Sequence, residues 1–237
     1  YEETTDIVSD TTLSFRERAL ALHDAYITID THADTPLRVR EGQPLGKAAS
    51  KAVKNGKKIR VTLPAMRQGH ASAQYLACWV AQGPLTDAGR SNARTRVEQL
   101  IDICYREAKS NAGECGIART PAEVRALKEE GKIALLIGVE NGYGVGRDLD
   151  WLNHYAGRGV TYVTLCHTKN NDICDSSSDA SGARWKGLSP FGEKVVERMN
   201  DLGMVIDLSH ASDSTVWDVL RLSKAPVMAS HSSARAL

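Results

Sequence analysis

Long apolar runs, closely spaced cysteines and phosphate-cradling glycine loops are all missing from this sequence, and each absence removes a class of function. No apolar stretch approaches the ~18 residues of a membrane-spanning helix. Charge of one sign is lacking too: 30 basic residues stand against 29 acidic ones, a net charge of +1. No nucleic-acid or polyanion partner is therefore expected. The five cysteines (Cys78, Cys104, Cys115, Cys166, Cys174) contain no CxxC pair, which disfavours a cysteine-based zinc site. Cys166 and Cys174 leave both a disulfide and buried free thiols open, and the redox compartment with them. The glycines after Glu140 complete neither GxGxxG nor a P-loop. No G-x-S-x-G elbow is present, against a serine hydrolase. The polar, acidic start is no secretory signal, although a processed, exported chain would begin the same way.

What is present is organised around residues 204–233. Met204–His210 and Pro226–His231 read as short strands buried on both faces, separated by a helix over Asp213–Leu222. Each strand ends on a histidine. In parallel α/β sheets and barrels the carboxyl ends of the strands are where chemistry is assembled.

The same pattern runs through the 237 residues, enough for one large α/β domain. Phe15–Ala25 has helical spacing and leads into a strand over Tyr26–Asp34, closing on His32-x-Asp34. On a strand, residues i and i+2 share a face, so both would project together. The Lys-rich stretch 41–60 has no interleaved aromatics to stack on bases and reads as a solvated loop or exposed helix. Ala73–Val80 is a second buried strand, and Asp87–Ser110 a long amphipathic helix. Thr120-Pro-Ala-Glu123 is a capping box opening a helix to Glu130. Ile133–Glu140 is an apolar strand closed by a carboxylate, which needs a partner charge or a metal. Asp148–Ala156 reads as a helix, Thr161–His167 as a strand, Asn170–Lys186 as a loop, and Ser189–Leu202 as a capped helix.

Six strands are thus expected, near residues 27, 75, 135, 163, 206 and 228. The fold class is α/β, a β/α barrel or part of one. Five of the strands end on candidate ligands: His32 with Asp34, Glu140, His167, His210 and His231. That set is too large for one catalytic zinc and suits two, with Glu140 as the natural bridge because its two oxygens can each serve one ion. Two ions would lower the pKa of a shared water enough to yield hydroxide near neutral pH, for attack on an amide or ester carbonyl. The site composition predicts a hydrolase and leaves the substrate open.

The segments Ile29–Pro36, Gly138–Glu140, Tyr162–His167, Gly187–Gly192, Ile206–His210 and Ser230–Ala234 resemble, in order, the signature segments of the membrane (renal-type) dipeptidases. The resemblance runs from about residue 20 to the end. It implies a (β/α)8 barrel with two Zn2+ ions that cleaves dipeptides, including those with a C-terminal D-residue. It further implies that His32 and Asp34 bind one zinc, His210 and His231 the other, and that Glu140 bridges them. By the same resemblance His167 is a substrate-contacting catalytic residue that stabilises the carbonyl oxygen, and not a ligand.

The family pattern continues past Ser230-His-Ser-Ser with an arginine for the substrate carboxylate and an aspartate for the catalytic proton. This sequence stops at Leu237, before both and before strands seven and eight. The expectation is therefore a single barrel domain over 1–237, truncated at its C-terminus. Six strands would leave two edges open. A barrel face leaves homodimerisation open. Two other functions compete: a metal amidohydrolase on a related barrel, and a non-catalytic barrel scaffold. The first would favour His-x-His and a carboxylated lysine over His32-x-Asp34 and Glu140. The second would show a lost ligand, and none is lost here.

Overall fold

The computed structural model describes residues 2–49 and 58–233. Two helices, α1 (Glu2–Ser9) and α2 (Phe15–Ala25), precede a parallel sheet whose strands are β1 (Ile29–Asp30), β2 (Ala73–Trp79), β3 (Cys115–Ile117), β4 (Ile133–Glu140), β5 (Val160–Thr164) and β6 (Val205–Asp207). The order across the sheet is β1-β2-β4-β5-β6, with every pairing parallel. β3 lies beside the first residues of β4, and β5 beside its last ones. Between the strands run α3 (Thr35–Arg40), α4 (Leu63–Gln68), α5 (Asp87–Ser110), α6 (Pro121–Glu129), α7 (Asp150–Gly157) and α8 (Pro190–Asp201), and α9 (Asp213–Leu222) follows β6. The result is a curled half-barrel, part of a (β/α)8 barrel. No helix among the described residues is long and apolar enough to cross a membrane.

The sheet is buried on both faces, and the two-residue period of β4 shows how it is divided. Ile133, Leu135, Ile137 and Val139 join the apolar layer under the helices. Ala134 and Leu136 face the interior with Ala73, Tyr75 and Tyr162. Gly138 and Glu140 continue that interior row. Each fully buried Leu, Ile or Val of the helix-side layer stabilises the fold by roughly 1.5–3 kcal/mol. These residues fix the sheet's curvature and leave the strand ends free for polar groups.

Helix caps follow the sequence. Thr120 and Glu123 form the capping box before α6, and Ser189 and Ser212 cap α8 and α9 through backbone N–H groups three residues on. β4 spans the expected Ile133–Glu140 and β2 nearly the expected range, whereas β1, β5 and β6 are shorter than expected. β1 ends at Asp30 because the Asp30 carboxylate accepts from His32 N at 3.0 Å, an Asx turn. His32 and Asp34 therefore lie beyond the strand, and Asp34 precedes α3, which has Pro36 in its first turn. β6 ends at Asp207 for the same reason, Oδ1 accepting from Ser209 N at 3.1 Å. The expected strand at Pro226–His231 is reduced to a bridge at Met228, which pairs with Asp207. Beyond it, Ser230 N bonds the Asp207 side chain in place of a backbone carbonyl.

β3, α1, α3 and α4 are additions to the expected set. Of the basic stretch 41–60, Lys51, Lys54 and Lys57 lie outside the described residues. Leu45 and Ile59 on either side are buried, and Leu45 N donates to Glu107. All five cysteines are buried free thiols.

Candidate metal centre

Glu140 is the last residue of β4 and points into the interior at the carboxyl ends of the strands, nearly fully buried. The next residue, Asn141, has φ +83° and turns the chain sharply away. It is held there by bonds from its amide to Val80 O (3.1 Å) and from Tyr143 N to its oxygen (3.2 Å). The carboxylate is thus fixed at its base by buried hydrogen bonds that tie the ends of β2 and β4 together.

Four imidazoles converge on it through Nε2. His32 Nε2 lies 3.4 Å from Oε2. His210, His231 and His167 lie 3.1, 3.4 and 3.5 Å from Oε1. Asp34, half-exposed, brings Oδ1 to 3.9 Å from His32 Nε2. Five of the six sequence-predicted residues converge as two groups that share the carboxylate, His32-Glu140-His231 and Glu140-His167-His210, and Asp34 stands at their edge beside His32. His210 reaches it from a left-handed backbone conformation (φ +69°), a strained geometry of the kind that clusters at functional sites. His210 and His231 share a hydrogen bond between their Nε2 atoms at 2.8 Å. The ring of His231 also stacks on that of His32, centroids 3.8 Å apart, and His167 on His210 at 4.2 Å. His167, at 3.5 Å, is only slightly farther from the carboxylate than the others.

The donor set fits divalent metal. It consists of imidazole nitrogens and carboxylate oxygens on several strands, with one carboxylate presenting an oxygen to each side. The opposite ring nitrogens of His231 and His32 are engaged, as is common for ligating histidines. His231 Nδ1 meets Ser230 Oγ at 2.8 Å and His32 Nδ1 meets the Tyr162 hydroxyl at 3.3 Å. Sequence reasoning missed Tyr162, Ser230 and also Trp79, whose indole stands edge-on to His167 at 5.5 Å. Tyr162 and Trp79 contribute through contacts across strands, which no local spacing reveals, and Ser230 through the ring that follows it in the chain.

The electrostatics match this chemistry. Burial alone would raise the Glu140 carboxyl, but hydrogen bonds from His210 and His231 and the nearby His32 and His167 outweigh it and bring it to about 2. Burial lowers His32 and His167 below the usual imidazole value, so both are neutral and ready to donate a lone pair or a neutral N–H. His231 moves up instead, chiefly through its bond to Glu140. Burial and the Glu140 charge raise Asp34.

A pH signature follows for the metal-free protein. The folded Glu140 value lies below the ordinary ~4.3 of glutamate. Its stabilisation is therefore complete above that ordinary value and lost as pH falls toward 2. Its charge also raises His231 and opposes the burial that lowers His32 and His167, so all three take up protons more readily in wild type than in Glu140→Gln. The melting-temperature gap between wild type and Glu140→Gln is expected to widen from pH 8 to about 5 and to close again below about pH 3. A gap independent of pH in thermal melts would contradict this cluster.

Comparison with known proteins agrees with the geometry. Residues 16–237 match the family model described as membrane dipeptidase (peptidase family M19). The chain is 37% identical over 231 residues to dipeptidase 3 of Homo sapiens, covering 95% of this chain and 45% of that protein. It is 34% identical over 226 residues to dipeptidase verJ of Clonostachys rogersoniana, covering 91% and 57%. It thus spans about half the length of the curated relatives it matches. Among solved structures, the probable dipeptidase PvdM of Pseudomonas aeruginosa superposes with TM-score 0.80 at 32% identity, covering 94% of this chain and 56% of that one. A metallopeptidase of Rhodobacter sphaeroides, solved with a phosphinate mimic of L-Ala-D-Ala, shares the fold with TM-score 0.73 at 22% identity, covering 89% and 66%. With the site's carboxylate and imidazoles set at the strand ends of a half-barrel and this match over nearly its whole length, the chain belongs to the membrane dipeptidase family, peptidase family M19.

Proposed function

We propose that the protein carrying this chain is a zinc-dependent dipeptidase with a binuclear site. The observation that carries the reading is the Glu140 carboxylate, set between His32 on one oxygen and His210, His231 and His167 on the other. His32 and Asp34 are assigned to one zinc, His210 and His231 to the second, and Glu140 to both. Two zinc ions bound there would supply Lewis acidity and lower the pKa of an attacking water.

The chain's own residues do the rest. Glu140, at about 2, stays ionised throughout the physiological range and balances positive charge. His167 is left outside the two pairs. Burial keeps it neutral, and the edge of Trp79 holds its ring. From there its N–H can donate to a peptide carbonyl oxygen as that oxygen gains charge, the oxyanion role, without carrying a charge of its own. Asn141 prevents the Glu140 end of β4 from relaxing toward solvent.

The test is metal content and turnover of the full chain, purified without chelator and dialysed against metal-free buffer. Two zinc equivalents, with hydrolysis of L-Ala-L-Ala and L-Ala-D-Ala that chelator abolishes and zinc restores, are expected. One equivalent would demote one of the two pairs to a structural role. A folded protein that takes up no metal would overturn the mechanism.

A further inference from the structure

One buried acid has no part in the chemistry above. Asp207 closes β6 opposite Thr164 of β5, fully buried, and forms no ion pair among the described residues. A carboxylate in such a place is costly unless its lone pairs are filled. They are filled by donors alone: Ser209 N at 3.1 Å and Ser230 N at 2.9 Å on Oδ1, Ser230 Oγ at 2.7 Å and Thr164 Oγ1 on Oδ2. An asparagine could satisfy the two backbone groups but would turn an N–H toward the two hydroxyls. The surroundings select an acceptor-only side chain, and so a carboxylate.

The consequence lies one bond further on. Ser230 Oγ has a single proton, and its bond to Asp207 uses it. Toward His231 Nδ1, 2.8 Å away, the same oxygen can then only accept. His231 Nδ1 therefore keeps its proton in either charge state, so that when the ring gives up the proton Nε2 shares with Glu140 in the metal-free protein, the lone pair falls on Nε2, the atom that faces Glu140 and His210. The backbone is pinned by the same group of side chains, His231 N donating to Ser209 Oγ at 3.0 Å. His32, by comparison, has a longer contact from Nδ1 to the Tyr162 hydroxyl, 3.3 Å.

We propose that Asp207 and Ser230 are positioning residues for His231: the buried carboxylate, acting through the serine hydroxyl, holds the imidazole in its Nδ1–H tautomer and presents Nε2 to the metal. This rests on the reading of His231 as a ligand. Carboxylates that bond a ligating histidine directly serve the same purpose elsewhere; here a hydroxyl stands between them.

The experiment uses the full chain with 15N-labelled histidine. It compares wild type, Ser230→Ala, Asp207→Asn and Thr164→Val by imidazole NMR of the metal-free protein and by zinc competition with a chromophoric chelator. In Ser230→Ala the single-tautomer signature of His231 is expected to be lost, and one of two zinc equivalents to weaken by about 10–100-fold. Asp207→Asn should act in the same direction, and the double variant no more strongly than the larger single one, because both act through one chain of bonds. Thr164→Val also removes a donor to Asp207 but does not reach His231. It should lower the melting temperature and leave tautomer and zinc affinity as in wild type. If Ser230→Ala keeps both the tautomer and tight zinc, or if Thr164→Val weakens zinc equally, the proposal is overturned. If wild type binds no zinc and Ser230→Ala still releases the tautomer, the metal reading fails while tautomer control by Asp207 stands.

Discussion

Glu140→Gln is expected to reduce dipeptide turnover by about 10³-fold or more, since losing one oxyanion donor alone reaches about 10²–10³. The substitution conserves shape, so packing is not the cause. It replaces one oxygen with an NH2 group that cannot donate a lone pair, on a side chain whose two oxygens face different imidazoles. Whichever way the amide turns, one set of nitrogens meets an N–H where it met an anion. If the amide nitrogen faces His32, the His32/Asp34 side loses its shared ligand; if it faces Oε1's former partners, His210 and His231 lose theirs. On the binuclear reading proposed above, zinc content should therefore fall from two equivalents to about one tightly held, measured after dialysis, with the far-ultraviolet circular dichroism unchanged. Retention of two tight equivalents in this variant would show that Glu140 is not the shared ligand, even if activity fell. The effect also exceeds that of any variant in the shell behind the site, because Ser230 or Tyr162 acts through one imidazole while Glu140 touches four.

How far this site was legible in the sequence depends on which residues are considered. Glu140 was readable because a carboxylate at the end of an apolar run has few physical explanations, and β4 ends where its apolar period ends. α2, α5, α6 and α9 were readable because caps and helical spacing are local signals, and their observed ends agree closely with the sequence pattern. His32, Asp34, His210 and His231 were identified for a reason that proved incomplete. They do not alternate along strands; Asp30 and Asp207 stop β1 and β6 with Asx turns, and the histidines follow on irregular backbone. The residue types were informative where the strand period was not. β3, only three residues long, is too short for any period to show. Asp207, Ser230 and Tyr162 were not assigned because their meaning depends on neighbours distant in the chain. The 170–186 loop was recognised as irregular, but its order was not: buried Asp175 collects backbone N–H groups from Arg184, Trp185 and Gly187, and buried Asp172 bonds Arg90 and Arg147.

Gly138→Ala should destabilise the fold by about 3 kcal/mol, the upper end of what overpacking a core costs, and should loosen the metal site with it. Gly138 sits in register with Tyr162, on the same interior face as Glu140 two residues later. A Cβ there would lie 2.1 Å from the Tyr162 Cζ and 2.4 Å from Cε1, far inside contact distance. The ring cannot swing away cheaply. Tyr162 is fully buried, Tyr75 packs against it with centroids 4.9 Å apart, and its hydroxyl meets His32 Nδ1. Either β4 moves and carries Glu140 with it, or Tyr162 moves and His32 loses its partner. Chemical denaturation of the metal-free variant would give the stability loss, and chelator competition the weaker zinc. A double-mutant cycle then separates the ring from the backbone as the cause. In a Tyr162→Ala background the added methyl enters space the ring has left, so the penalty of Gly138→Ala should shrink by about 0.5–3 kcal/mol, the range of coupling between residues in contact. An unchanged penalty would place the strain in the β4 backbone and not in the tyrosine, and would remove Tyr162 as the link between the interior row and His32.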